Sequence, residues 1–204
     1  MQGIKNIIFD LGGVIINLDN QLTENAFIAM GAKPFREYFG HGHAASFFRA
    51  YETGSITDRQ FIDSINELTG LSLSDEEVIK AWNALLLDFP TERIQLLKEL
   101  GRRYRLFLFS NTNALHLTAL QKIYRDTFGE GELDDHFERT YYSHLLGMRK
   151  PDIASYQHIL QENQLIGGET LFVDDALINV EGAEAAGLKG LYLRPGTTLL
   201  DFQW

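Results

Sequence analysis

The sequence predicts a doubly wound α/β fold on a parallel sheet, with a small helical insertion after the first strand. Three observations predict it. Five short apolar runs recur along the chain without polar alternation, as in strands covered on both faces. Helical patterns separate the later runs. One long interval, between the first and second runs, holds helix signals only.

In chain order, residues 4–9 supply the first strand. From about Leu18 to Phe89 the segments "TDRQFIDSINELTG" and "SDEEVIKAWNALLL" each open on a Thr or Ser cap with acidic residues close behind, which marks helix starts. Strands follow at residues 104–109 ("YRLFLF"), 139–142 ("RTYY"), 170–173 ("TLFV") and 190–193 ("GLYL"). Helices are expected at residues 91–103, 114–125, 152–163 and 176–186. The chain contains no internal repeat, low-complexity tract or Pro/Gly-rich linker. The expected division is therefore an α/β core of residues 1–17 and 90–204 and a helical unit of residues 18–89.

Composition restricts the partners. At 204 residues the chain can bury a real interior, and a formal net charge of −10, from 28 acidic and 18 basic residues, offers no basic footprint for nucleic acid. With no cysteine, neither a disulfide framework nor a thiolate metal site is possible. No apolar run approaches membrane-spanning length and the start "MQGIKNIIFD" lacks the parts of a signal peptide, so a cytoplasmic protein without membrane contact is expected. The oligomeric state is left open.

Ligands of an open parallel sheet gather at the carboxyl ends of its strands. Asp10 follows the first strand, Ser110, Asn111, Thr112 and Asn113 follow the second, "GMRKPD" with Lys150 follows the third, and Asp174 and Asp175 follow the fourth. Singly, each has an ordinary use as a turn residue, a helix cap or a solvated cation. Together they crowd three carboxylates at neighbouring strand ends, which repel unless a cation sits among them. Oxygen ligands without His or Cys suit Mg²⁺. Ser110 and the amides opening the next helix can hold phosphate oxygens, and Lys150 adds positive charge, so the set describes phosphoryl transfer to or from a small phosphorylated substrate.

The ordered motifs "DLGGV", "FSNTN", "GMRKP" and "FVDD", the last followed by Asn179, resemble those of the haloacid dehalogenase superfamily of hydrolases over residues 4–193. Within it, "FSNTNALH" and "LGMRKPDIASYQHIL" are most similar to a bacterial group that includes an α-D-glucose-1-phosphate phosphatase. The resemblance implies a Rossmann-like core with the helical interval as its cap. It implies Asp10 as nucleophile, Asp175 and the carbonyl of Gly12 as Mg²⁺ ligands with Asp174 beside them through water, and Ser110, Asn111 and Lys150 as phosphate ligands. Asp10 would attack phosphorus, and water would then hydrolyse the aspartyl-phosphate. Gly12 and Gly13 would let the chain turn sharply.

One position departs from the resemblance. Many phosphatases of the superfamily carry a second Asp two residues after the nucleophile as general acid and base, and here that position is Gly12. Either another group serves, such as Asp19 or a cap residue, or the substrate needs none, as the acidic anomeric hydroxyl of a sugar 1-phosphate allows. Two rival readings are a 2-haloacid dehalogenase, which lacks that Asp but needs no cation, and a catalytically silent binding protein of the same fold. "HGH" at His41 to His43 is read as loop, Glu52 in "AYETGS" as a solvated helix end rather than a substrate contact, and Phe35, Phe39, Phe47 and Phe48 as cap core. The terminal "DFQW" is expected to expose its Trp, a possible subunit contact.

Overall fold

The computed structural model describes residues 2–33 and 46–204. Five strands, β1 (Asn6–Phe9), β2 (Arg105–Ser110), β3 (Arg139–Tyr142), β4 (Thr170–Asp174) and β5 (Lys189–Tyr192), form one sheet in the order β3-β2-β1-β4-β5. Every pairing is parallel, and Phe9 lies level with Leu108 on one side and Val173 on the other. The chain thus builds outward from β1 in both directions, and the carboxyl ends of β2, β1 and β4 stand side by side.

Alternation along the strands separates two apolar layers, because successive side chains point to opposite faces. Ile7, Phe9, Leu106, Leu108, Leu171 and Val173 join one cluster with Ile94 and Leu97 of α5 (Thr91–Leu100) and Leu120 and Tyr124 of α6 (Ala114–Phe128). Ile8, Phe107, Phe109 and Phe172 join another with Tyr156 and Ile159 of α8 (Ile153–Glu162) and Ala183 of α9 (Leu177–Ala185). A short α7 (Ser143–Leu146) follows β3.

The interval after β1 is helical: α1 (Asn20–Ala29), α2 (Ser46–Glu52), α3 (Asp58–Thr69) and α4 (Asp75–Trp82), then a 3₁₀ turn at Asn83–Leu85. Thr57 with Gln60 and Ser74 with Glu77 form the capping boxes that start α3 and α4, and Gly70 ends α3 in the left-handed region. Phe27, Phe48, Phe61, Ile65, Val78 and Trp82 bury into a third cluster.

Element borders move by a few residues from the expected ones, for local reasons. The first strand begins at Asn6, the first residue in register with both neighbours. α5 stops at Leu100, where Gly101 caps it, and α6 runs on to Phe128 until Gly129 turns left-handed. The C-terminal expectation needs correction. Trp204 is half-buried, its ring 5.8 Å from that of Phe9, its Nε1 donating to the Leu199 carbonyl at 2.9 Å. Phe48 is buried and Phe47 packs beside it, as expected of core residues, whereas Phe35, Phe39 and His41 to His43 lie outside the described residues. Among the described residues no helix is long and apolar enough to cross a membrane.

Candidate active site

Asp10 is the first residue beyond β1, and its backbone N–H still donates to the Val173 carbonyl at 2.8 Å. The centre of the sheet therefore fixes its position. The Asp10 side chain meets Lys150, whose Nζ lies 2.5 Å from Asp10 Oδ1 and 2.7 Å from Asp174 Oδ2. Lys150 is 1 % exposed, and its Nζ lies 5.5 and 5.4 Å from the ring centres of Phe109 and Phe172. Asn111 holds the lysine's backbone at both ends, accepting from its N–H at 2.9 Å and donating to its carbonyl at 3.0 Å. Asp174, fully buried, also accepts from the Ala176 N–H at 2.8 Å and from Asn179 Nδ2 at 3.0 Å.

Asp175 stands at the exposed side of this cluster, and one oxygen each from Asp10, Asp174 and Asp175 fall within 4.8 Å of one another. Lys150 pairs with two of these three carboxylates, Asp10 and Asp174. Burial pushes the Asp10 carboxyl up to about 7, with Lys150 opposing the rise and Asp174 and Asp175 adding to it. Burial and the neighbouring Asp174 raise Asp175 as well. For Lys150 burial works downward, but Asp10 and Asp174 outweigh it and hold the ammonium above its ordinary value. A cluster with excess negative charge and hard oxygen donors fits a divalent cation such as Mg²⁺.

The loop "DLGG" makes room for that cluster. Gly13 has φ 73°, and a Cβ there would run into the Asp175 carboxylate, so only glycine lets backbone and carboxylate approach this closely. A Cβ on Gly12 would stand 2.5 Å from Leu18 Cδ1. Ser110 ends β2 against the same cavity, and its hydroxyl makes no hydrogen bond among the described residues. Thr112 and Asn113 are used structurally, Thr112 bonded in both directions to Ser143 Oγ and Asn113 capping α6 through the His116 N–H.

These residues close one end of a cavity of about 340 Å³, whose opposite wall comes from the helical layer. Asp10, Gly12, Ser110, Asn111, Lys150, Asp174 and Asp175 all line it, so the structure brings the expected set together. The Asn111 side chain also holds the Lys150 backbone, with its Oδ1 and one Nδ2–H, which leaves its second N–H unused by that contact. Asp19 does not line the cavity; it is exposed, and its carboxylate caps α1 by accepting from the Gln21 N–H at 2.9 Å.

Glu52 corrects another expectation. It is half-buried, lines the cavity and pairs with Arg149, whose Nη2 lies 2.9 Å from Glu52 Oε2; burial pushes its carboxyl up, against Arg149. Sequence reasoning also missed Trp82 and His116, which line the wall stacked at 4.8 Å. Burial holds His116 down at about 3, so it is neutral, and its Nδ1 meets Asn83 Oδ1 at 2.8 Å. The available signals were His116 closing the segment "FSNTNALH", Arg149 beside Lys150, and an indole at the end of an amphipathic helix.

Residues 4–187 match the profile of the haloacid dehalogenase-like hydrolases. A D-ribitol-5-phosphate phosphatase of Bacteroides thetaiotaomicron is 29% identical over 187 residues, 91% of this chain and 90% of that protein. A HAD-family enzyme of the same organism, solved in complex with magnesium and inorganic phosphate, superposes with a TM-score of 0.90 at 32% identity, covering 98% of this chain and 100% of that one. A predicted HAD-like hydrolase of Porphyromonas gingivalis gives a TM-score of 0.85 at 29% identity over 95% and 93% of the two chains.

Proposed function

The chain belongs to the haloacid dehalogenase-like hydrolases, and on that premise we propose that it is a Mg²⁺-dependent phosphomonoester hydrolase working through an aspartyl-phosphate on Asp10. Its substrate is a small phosphorylated metabolite, a sugar or polyol phosphate such as glucose 1-phosphate. The observation that carries this reading is the meeting of Asp10, Asp174 and Asp175 at one end of the cavity, with Lys150 paired to the first two. A carbon–halogen displacement has no use for a cation held by several carboxylates, whereas phosphoryl transfer does.

Asp10, Asp175 and the Gly12 carbonyl would hold the Mg²⁺, with Asp174 alongside, and the ion would supply Lewis-acid neutralisation of the phosphoryl oxygens. An Asp10 oxygen attacks phosphorus, the bond from phosphorus to the substrate oxygen breaks, and the leaving group departs as the alcohol once protonated. Water then attacks the acyl phosphate, which regenerates the Asp10 carboxylate and releases inorganic phosphate. Lys150 lowers the repulsion between the anionic nucleophile and the anionic substrate, and Ser110 donates to a phosphoryl oxygen. Asn111 places Lys150, and its second side-chain N–H and its backbone amide are the donors it would offer to phosphate. Residues 18–89 act as the cap over this centre, and residues 1–17 and 90–204 as the core.

Purified protein screened against phosphorylated metabolites, with and without Mg²⁺, tests the proposal. Phosphate release from sugar or polyol monophosphates that requires Mg²⁺ is expected. Absence of release from every member of the panel in the presence of Mg²⁺ would leave the silent binding protein as the better reading.

A further inference from the structure

The wall opposite Asp10 comes from the helical layer and is mostly apolar, with Leu18, Trp82, Leu85 and Leu86 beside two polar side chains, Asn20 and Glu52. Among the described residues lining the cavity, Glu52 is the one acid outside the Asp10, Asp174 and Asp175 cluster. Arg149 anchors its Oε2, and Glu52 has no other hydrogen-bond or ion-pair partner among the described residues. One carboxylate oxygen is fixed, and the other is left to accept.

The backbone that carries Glu52 is docked on the core. Gly54, at φ 67°, abuts the His144 carbonyl so closely that a Cβ would run into it. Tyr51 Oη accepts from the Leu115 N–H at 3.3 Å and donates to Asp58 at 2.7 Å, and Arg49 meets Asp152 at 3.4 Å. Glu52 therefore stands in a fixed place across the cavity from the reacting end.

A carboxylate held from behind by a guanidinium accepts from hydroxyl groups and repels a second anion. We infer that Glu52 is a specificity-determining residue that accepts hydrogen bonds from hydroxyls of the leaving group and rejects anionic leaving groups, with Arg149 as the residue that positions it. The substrate class is thereby the monophosphates of uncharged polyhydroxylated compounds. The inference rests on the phosphatase reading: Asp10 and Lys150 deal with the phosphoryl group, and Glu52 selects what is attached to it.

The test compares wild type, Glu52→Gln, Glu52→Ala and Arg149→Met, each with Mg²⁺, on ribitol 5-phosphate, phenyl phosphate and 3-phosphoglycerate. In both Glu52 variants the ratio of kcat/KM for ribitol 5-phosphate to that for phenyl phosphate falls by at least about tenfold, mainly through KM, as expected for a lost charge-assisted hydrogen bond. The ratio of ribitol 5-phosphate to 3-phosphoglycerate falls further, because the repulsion is lost too. Arg149→Met moves both ratios in the same direction.

Equal losses on all three probes would mean that Glu52 only holds the helical layer in place, and unchanged ratios would mean that it does not meet the substrate. Either result overturns the inference. Wild-type protein that hydrolyses phenyl phosphate but shows no preference for ribitol 5-phosphate over 3-phosphoglycerate overturns it alone. Wild-type protein inactive on all three probes and on every other member of the metabolite panel overturns the phosphatase reading and the inference with it; activity on the panel with none on ribitol 5-phosphate overturns the inference alone.

Discussion

Leu18 fills the space beside Gly12, its Cδ1 lying 2.5 Å from the point where a Cβ on that glycine would stand. A carboxylic acid at position 12 would have to turn the leucine aside, and the adjacent Asp19 is spent on capping α1. On the proposed mechanism neither position supplies an acid, so the leaving oxygen would depart with little proton assistance and accumulate negative charge in the transition state. The rate of forming the aspartyl-phosphate should fall steeply as the leaving group becomes more basic. Single-turnover phosphorylation across aryl phosphates of similar shape and graded acidity measures the slope; a flat dependence, with phosphorylation rate-limiting, would show that another residue supplies the proton.

Asp10→Asn should fold and lose turnover by at least about a thousandfold, because an amide oxygen is a poor nucleophile at phosphorus. In metal-free protein the same change removes one charge from a repulsive cluster, so the melting temperature should stay level or rise. Near-wild-type turnover in the variant would remove Asp10 from the mechanism.

The acidity of Asp10 gives a pH signature to the metal-free protein. Its carboxyl is held up at about 7 in the folded chain, from an ordinary value of 3.8, so between these values the folded state binds more protons than the unfolded one. Stability contributed by this group is full at low pH and is lost as pH rises toward 7. Melting curves in EDTA across that window, with Asp10→Asn as reference, should show a fall in wild type that the variant lacks. Mg²⁺ should oppose the fall, since it binds the ionised form. Parallel curves for the two proteins would contradict the burial described for Asp10.

Gly13→Ala tests the close approach of Asp175. The substitution combines a left-handed φ with a Cβ aimed at the carboxylate, and it should cost on the order of 1–3 kcal/mol of stability. Activity should require more Mg²⁺ than in wild type. A melting temperature and a Mg²⁺ dependence both equal to wild type would mean that the loop does not constrain Asp175.

How much of this was legible beforehand differs from residue to residue. Asp10, Ser110 and Asp174 sit at strand ends, and a parallel sheet collects strand ends at one edge, so their meeting followed from local apolar runs. Lys150 was legible for the same reason, although the bonds that hold its backbone to Asn111 were not. Glu52 was misread because its partner Arg149 follows a strand far along the chain, and only the docking of α2 on the core puts them together. Asp19 was misjudged differently: it looked close to Asp10 along the chain, but a helix starts there and takes its carboxylate. Trp204 lacked any pattern to mark it as buried, since its contact with Phe9 joins the two ends of the chain.

The separation of the aromatic cluster of the helical layer from the two sheet-facing clusters also bears on how the molecule breathes. Local opening follows units that share a packed interior, and strands hydrogen-bonded on both sides exchange their amide protons last. The amides of Ile7 to Phe9, on the strand paired on both sides, belong to that slowest class. Asp10, the nucleophile of the proposed reaction, thus follows directly on the backbone expected to open last.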